Sequence, residues 1–445
     1  MKNDWRQKLH LEPFKGWLND PNGLSFYNGM YHVYFQYCPD NAYGKGDKCW
    51  GHFQSPDLLY WEFTGTVLTP DIDADRNGVY SGCGIVKDGE LYLFYTGNVK
   101  HPGDYDYISD GREANQIYVS TKDGHNMSKK TVILGNYDYP KYCSCHVRDP
   151  KVWEENGKYK MVLGARKHDD TGCALVYTTT GTDFSGEWFF EKEIYTPNFG
   201  YMWECPDIFS LGGKKYLSIS PQGLEHTEFE HQNVYSSGYF DESMTEFIEW
   251  DYGFDFYAPQ TFETPDGRRL LIGWMGIGDI PYTNPTAEKG WQHCLTMPRE
   301  ISVDGYGRLV QRPFKELNTL RREKMSFSSG DVLKTDLPFE LFALVDNDFD
   351  IRFGFLEMRL KNGVFTLEFT DEKAGCGRTK RNVKLLQCMD IRIIADTSSM
   401  EVYLNCGQRV MSTRFYPQST EVDIRVNGLD GLVYTLDGME VTARE

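Results

Sequence analysis

A turn glycine leading into a short apolar, aromatic run recurs five times along the chain. The copies are Gly29-Met30-Tyr31-His32-Val33-Tyr34-Phe35, Gly89-Glu90-Leu91-Tyr92-Leu93-Phe94-Tyr95, Gly157-Lys158-Tyr159-Lys160-Met161-Val162-Leu163, Gly213-Lys214-Lys215-Tyr216-Leu217-Ser218-Ile219 and Gly267-Arg268-Arg269-Leu270-Leu271-Ile272-Gly273. Most are followed by a second strand-like run ending in Ser/Thr and Asp or Gly, as in Ile117-Tyr118-Val119-Ser120-Thr121-Lys122-Asp123-Gly124. Five near-regular units, each of three or four antiparallel strands, predict an all-β fold that closes as a five-bladed β-propeller over residues 1–312. The texture changes beyond Arg312-Pro313, and residues 313–330 read as a linker. The alternating runs Phe339–Val345, Val364–Phe369 and Met400–Asn405 then predict a β-sandwich over 331–445.

Composition narrows the classes of function. At 445 residues the chain exceeds one ordinary core, in agreement with two domains. The 29 Tyr, 27 Phe and 10 Trp suit half-buried strands first and sugar-stacking faces second. A net charge of −18 argues against nucleic acid or an anionic membrane surface as a partner. No apolar run is long enough to span a bilayer, and Met1–Lys8 lacks the apolar core of a signal peptide. Eleven cysteines at irregular spacing exclude a fully paired disulfide framework and fit a reducing, cytoplasmic setting. Cys143-Ser144-Cys145-His146 has no second ligand pair at metal-site spacing, so no metal is expected.

The candidate chemistry lies in three carboxylates of the first domain. Asp20 stands in Trp17-Leu18-Asn19-Asp20-Pro21-Asn22-Gly23, Asp149 in Arg148-Asp149-Pro150, and Glu204 in Trp203-Glu204-Cys205-Pro206-Asp207. Each is next to or just before a proline, which favours extended backbone at the preceding residue. Two acids acting together cleave a glycosidic bond, and a third can steady the cationic sugar between them. Taken singly, each segment is also ordinary turn or strand chemistry.

Their order, with Tyr80-Ser81-Gly82 and Gly290-Trp291-Gln292-His293-Cys294-Leu295-Thr296-Met297-Pro298-Arg299-Glu300, resembles glycoside hydrolase family 32 over nearly the whole chain. That family holds invertases, fructan β-fructosidases and sucrose-6-phosphate hydrolases. The resemblance implies a propeller followed by a sandwich, with Asp20 as nucleophile, Glu204 as general acid/base and Asp149 as transition-state stabiliser, and with no cofactor. It implies a sugar-binding shell of Trp17, Leu18, Asn19, Gln36, Tyr80, Ser81, Arg148, Tyr257 and Trp274. Trp50 reads equally as pocket wall or core. Cys83 replaces a serine of the family pattern, and Tyr43 stands where many relatives carry a Trp-Gly-Asn segment. Chemically, Glu204 must begin protonated, while Asp149, paired with Arg148, should stay ionised.

The implied substrate is a small terminal β-fructofuranoside: sucrose, sucrose 6-phosphate or a short fructo-oligosaccharide. Lys45, Lys48, Lys289 and His293 are candidates for holding a phosphate. Exo-fructanase or fructosyl-transfer activity would use the same three acids. A silent fructan-binding module, which would lack one of them, and an inverting arabinosidase or xylosidase are the competing classes. Oligomeric state is not legible.

Overall fold

The computed structural model describes residues 2–181 and 183–444, and these form an all-β molecule whose only helices are short 3-10 turns. Residues 16–313 build five sheets, antiparallel except where Trp291–Gln292 pairs in parallel with the first strand of the first sheet. Their leading strands are Gly16–Tyr27, Val79–Lys87, Cys143–Glu155, Met202–Leu211 and Tyr257–Glu263. Each leading strand contacts the next, and the fifth contacts the first, so the five make a closed ring.

The second strand of the first sheet, Met30–Cys38, explains why these runs are nearly continuously apolar. Alternation along a strand sends successive side chains to opposite faces. Here Tyr31, Val33, Phe35 and Tyr37 pack in one core with Phe262, Leu270 and Ile272 of the fifth sheet. Tyr34 faces the other way, into a core with Leu93, Tyr95 and Val119 of the second sheet. Both faces are covered because a sheet lies on each side, and each such buried side chain contributes about 1.5–3 kcal/mol.

Residues 321–436 form two six-stranded antiparallel sheets. Phe339, Leu341 and Ala343 of one meet Ile351, Phe353, Met358, Leu360, Phe365 and Leu367 of the other in a shared core. The span 313–330 contains a 3-10 turn, Lys315–Leu320, and the strand Arg321–Phe327, which pairs with Gly431–Leu436. The chain then returns to the first sheet, where Glu440–Ala443 pairs in parallel with Tyr60–Leu68.

Buried charges lock the two halves together. Arg299 reaches Glu401 (2.8 Å), Asp251 (3.0 Å) and Ser412 (2.7 Å) from a fully buried position. His10 lies between Asp396 (2.8 Å) and Glu401 (3.1 Å), and Arg378 forks onto both oxygens of Asp255 at 2.8 Å.

Candidate active site

All five leading strands break their pairing register at the site, and the first and third have a second break elsewhere. The ladder skips residues 19–20 between Leu18 and Pro21, and 80–81 between Val79 and Gly82. It skips 149–150 after Arg148, 205–206 after Glu204, and 258–259 after Tyr257. A bulge of this kind re-aims side chains and leaves local N–H groups unpaired. Proline, which has no N–H to lose, stands in three of the five as Pro150, Pro206 and Pro259 and directly beside a fourth as Pro21. In the remaining bulge Gly82 is required, because a Cβ there would lie 1.8 Å from the Phe94 carbonyl oxygen.

Asp149 departs from the extended backbone expected before proline. Its φ is 64°, and Cys205 and Ala258, also before prolines, have φ of 48° and 49°. Each left-handed residue costs about 1–3 kcal/mol, strain of the kind that collects where side-chain direction matters.

The bulges bring the three acids into one connected cluster. Asp20 Oδ2 accepts from Ser81 Oγ at 2.6 Å, and its Oδ1 accepts from Asn19 Nδ2 at 3.1 Å. Asn19 is itself held by the Trp17 indole N–H at 2.8 Å. The Cys205 thiol lies 3.8 Å from Asp20 and 3.6 Å from Asp149, whose Oδ2 also accepts the Cys205 backbone N–H at 2.9 Å. Burial, reinforced by Asp149 and Asp20, holds the Cys205 thiol well above its ordinary value, so it remains a donor.

Glu204 receives four donors. Arg148 places Nε and Nη2 on Oε1 at 3.2 and 2.7 Å, while Tyr257 Oη and Gln222 Nε2 address Oε2 at 2.6 and 2.8 Å. Arg148 therefore pairs with Glu204, not with Asp149 as its sequence neighbour suggested. Asp149 is buried, and that burial pushes its carboxyl up; Arg148 opposes the shift, while Glu204 and Asp20 add to it. Burial likewise raises Asp20, with the Ser81 and Asn19 hydrogen bonds pulling the other way.

Several residues expected to line the site support it instead. Gln36 Nε2 donates to the Val79 carbonyl (2.8 Å) and Trp50 Nε1 to the Tyr80 carbonyl (3.1 Å), while Asn22 Oδ1 accepts from Gly82 N–H (3.0 Å). Together these three grip the second bulge. Trp50 and Leu18 have no exposed surface and belong to the core: strand alternation turns Leu18 away from the side its neighbours Trp17 and Asn19 face, and Trp50 packs between the first and second sheets. Trp17, Trp274 and His293 form an edge-to-face aromatic wall, with ring centroids 4.3–5.9 Å apart. Tyr257 adjoins it at 6.4 Å from Trp274, Tyr80 is half-buried, and Tyr43 is 57% exposed on the loop beside Trp17.

The expected phosphate ligands fare differently. His293 is fully buried, and burial drives its imidazole well below its ordinary value, so it carries no charge. Lys289 donates to the Asp4 carbonyl and lies over the Trp5 ring. Lys48 donates to the Gly44 carbonyl at 2.8 Å, over Trp17, and Lys45 is exposed.

Sequence reasoning missed Gln222, the Cys205 thiol, and a cationic group beside Glu204. In that group Arg148 Nη1 and Arg112 Nη1 both approach His146 Nδ1, at 2.6 and 3.3 Å. Arg148 and Cys205 lie inside recognised motifs, whereas Gln222, His146 and Arg112 do not.

Clustered carboxylates on the bulges of one ring of strands, with a cation and a phenol on one of them, are the equipment of a glycoside hydrolase. Models of the glycosyl hydrolases family 32 N-terminal domain and of the family's C-terminal domain match residues 10–313 and 357–437. The chain belongs to glycosyl hydrolase family 32. It is 38% identical to the sucrose-6-phosphate hydrolase of Bacillus subtilis (strain 168), covering 93% of this chain and 89% of that protein. Against the raffinose invertase of Escherichia coli the identity is 34%, over 98% and 94%. Among solved structures, the sucrose-6-phosphate hydrolase of Lactobacillus gasseri superposes with a TM-score of 0.85 at 26% identity, covering 98% of this chain and 94% of that one. A Bombyx mori β-fructofuranosidase, determined as a mutant in complex with sucrose, gives 0.83 at 27%, covering 99% and 95%.

Proposed function

We propose that this protein is a retaining β-fructofuranosidase that hydrolyses sucrose, sucrose 6-phosphate and short fructo-oligosaccharides from the fructose end. Its five sheets are the blades of a propeller over residues 1–312, followed by a linker over 313–330, whose strand Arg321–Phe327 already joins the sandwich, and a sandwich over 331–445, whose last strand returns to the first blade. The ring of leading strands supports the propeller. One observation carries the reaction: Asp20 on the first bulge and Asp149 on the third, remote in sequence, meet through Cys205, the neighbour of Glu204 on the fourth.

Asp20 attacks C2 of the fructosyl unit while Glu204 gives its proton to the departing glycosidic oxygen. A fructosyl ester on Asp20 results. Glu204 then takes a proton from water, which cleaves the ester and restores both acids. Asp149 accepts hydrogen bonds from fructose hydroxyls, and Asn19 and Ser81 keep the Asp20 carboxylate aimed.

Tyr257 suits both states of Glu204. Its hydroxyl lies 2.6 Å from Oε2 and 3.2 Å from the Ser220 carbonyl. The hydroxyl hydrogen can point at the carboxylate, or turn to Ser220 and leave a lone pair for a protonated Glu204. The eleven unpaired thiols support a cytoplasmic location, where the substrates are imported small sugars.

Proton NMR of the first product formed from sucrose tests the reading. Retention yields β-fructofuranose first, followed by mutarotation; α-fructose as the initial product overturns the double displacement.

A further inference from the structure

Arg112 opens the strand Arg112–Thr121 of the second sheet and is a half-buried cation without an ion partner among the described residues. Its Nε is buried with nothing to donate to, and its one side-chain neighbour at hydrogen-bond distance is His146 Nδ1. His146 Nε2 lies 3.0 Å from the Tyr107 carbonyl, which needs a donor, so Nδ1 is the acceptor and the ring is neutral. Burial and the two neighbouring guanidiniums agree, pulling the imidazole down to about 3.

Two guanidiniums thus share one neutral nitrogen. Arg148 has its charge answered by Glu204 at 2.7 Å; Arg112 has nothing equivalent. Leaving a half-buried cation unanswered is costly. It is also unexpected in a chain with 65 acidic against 47 basic residues, where carboxylates are plentiful. The arrangement makes sense when an anion completes it.

Position says which anion. Glu204 protonates the leaving oxygen in the reaction proposed above, so the leaving sugar extends on its side of the site. Arg148 and then, through His146, Arg112 follow Glu204 in one chain of contacts, and Tyr80, half-buried in the second bulge, is near enough to act on the Arg112 charge. Lys48 is placed differently, with its ammonium at the Gly44 carbonyl, over Trp17, and its charge acting on Asp20.

We infer that Arg112, braced against Arg148 through His146, is the specificity residue that receives a phosphate on the leaving sugar. The inference rests on the β-fructofuranosidase reading. A guanidinium offers planar paired donors to phosphate, which a lysine cannot reproduce.

The test measures kcat/KM for sucrose 6-phosphate and for sucrose with the wild type, R112Q, R112K and K48M. Inhibition by glucose 6-phosphate, glucose and inorganic phosphate is measured alongside. The wild type should prefer the phosphorylated substrate, and R112Q should cut that ratio about 10- to 100-fold, with the tighter inhibition by glucose 6-phosphate over glucose lost as well. R112K should retain part of the preference, in a form that salt erodes. An unchanged ratio in R112Q, equal loss on both substrates, or loss of the ratio in K48M alone would overturn the assignment. Inorganic phosphate inhibiting as strongly as glucose 6-phosphate would also overturn it, as a free-anion site. A wild type that cleaves sucrose without any preference for the phosphate sinks this inference alone; one that cleaves neither sugar sinks the enzymatic reading itself.

Discussion

Arg148 commits two of its N–H groups to a single oxygen of Glu204, at 3.2 and 2.7 Å, although its neighbour in sequence is Asp149. The guanidinium thereby ties the third bulge to the fourth and fixes the direction in which Glu204 presents its other oxygen. A lysine could supply the charge but not the fork. Arg148→Lys should lower kcat/KM for sucrose about 100-fold, mainly through kcat, because the acid loses its aim more than the fructose site loses affinity. Steady-state kinetics decide; a rise in KM alone would place Arg148 in ground-state binding.

The two acids should fail in different ways. Asp20→Ala leaves nothing to form the ester and should abolish turnover on every fructoside. Glu204→Ala should be far milder with a leaving group that departs without protonation, and azide should restore part of its rate. Indistinguishable responses of the two variants to azide and leaving-group pKa would refute the roles. Tyr257→Phe should follow Glu204, losing about tenfold on sucrose and little on an activated leaving group, since the hydroxyl serves the proton donor.

The pH profile follows from the environment of Asp20. Burial raises its carboxyl, and the nucleophile must be ionised, so activity should fall with acidification at a pH above the ordinary aspartate range. The Ser81 hydrogen bond, at 2.6 Å, favours the ionised form. Ser81→Ala should therefore move the acid limb of kcat/KM to higher pH. A limb that stays put, or moves to lower pH, would show that Ser81 does not govern the ionisation of Asp20.

The carboxylate–proline segments were legible because a bulge is one of the few places inside a sheet where proline costs no hydrogen bond. Asp20, Asp149 and Glu204 could thus be picked out, and four of the five leading strands carry the mark. What proline could not reveal was direction. Asp149 takes a left-handed turn instead of extended backbone, and Arg148 consequently reaches the next strand. Gln222, His146 and Arg112 lie outside the recognised motifs and join the site only through strand pairing and ring closure. Leu18 and Trp50, though within motifs, belong to the core, Leu18 because neighbours along a strand face opposite ways and Trp50 because it packs between two sheets. The motif marked the right strand but not the right face.

The last prediction concerns the joint between the two halves. Glu401 is fully buried, and its Oε2 takes Arg299 Nε at 2.8 Å and the Tyr403 hydroxyl at 2.6 Å, while its Oε1 takes the Met297 N–H at 2.9 Å and faces His10 at 3.1 Å. Arg299 and His10, with their hydrogen bonds, outweigh burial and hold its carboxyl at about 2. A folded-state value below the unfolded one means the ionised form is favoured by folding. The stabilisation is therefore complete at neutral pH, and it fades as pH falls from the ordinary glutamate range towards about 2. Glu401→Gln leaves Arg299 with Asp251 and His10 with Asp396, but removes the charge that joins them. Breaking a buried pair costs about 3–5 kcal/mol. Urea unfolding should show a loss of about that size at pH 7, shrinking as the pH is lowered through 4 towards 3. A loss independent of pH would mean that packing, not charge, holds this joint. No loss at pH 7 would mean that Arg299 is satisfied by Asp251, Gln311 and Ser412 without Glu401.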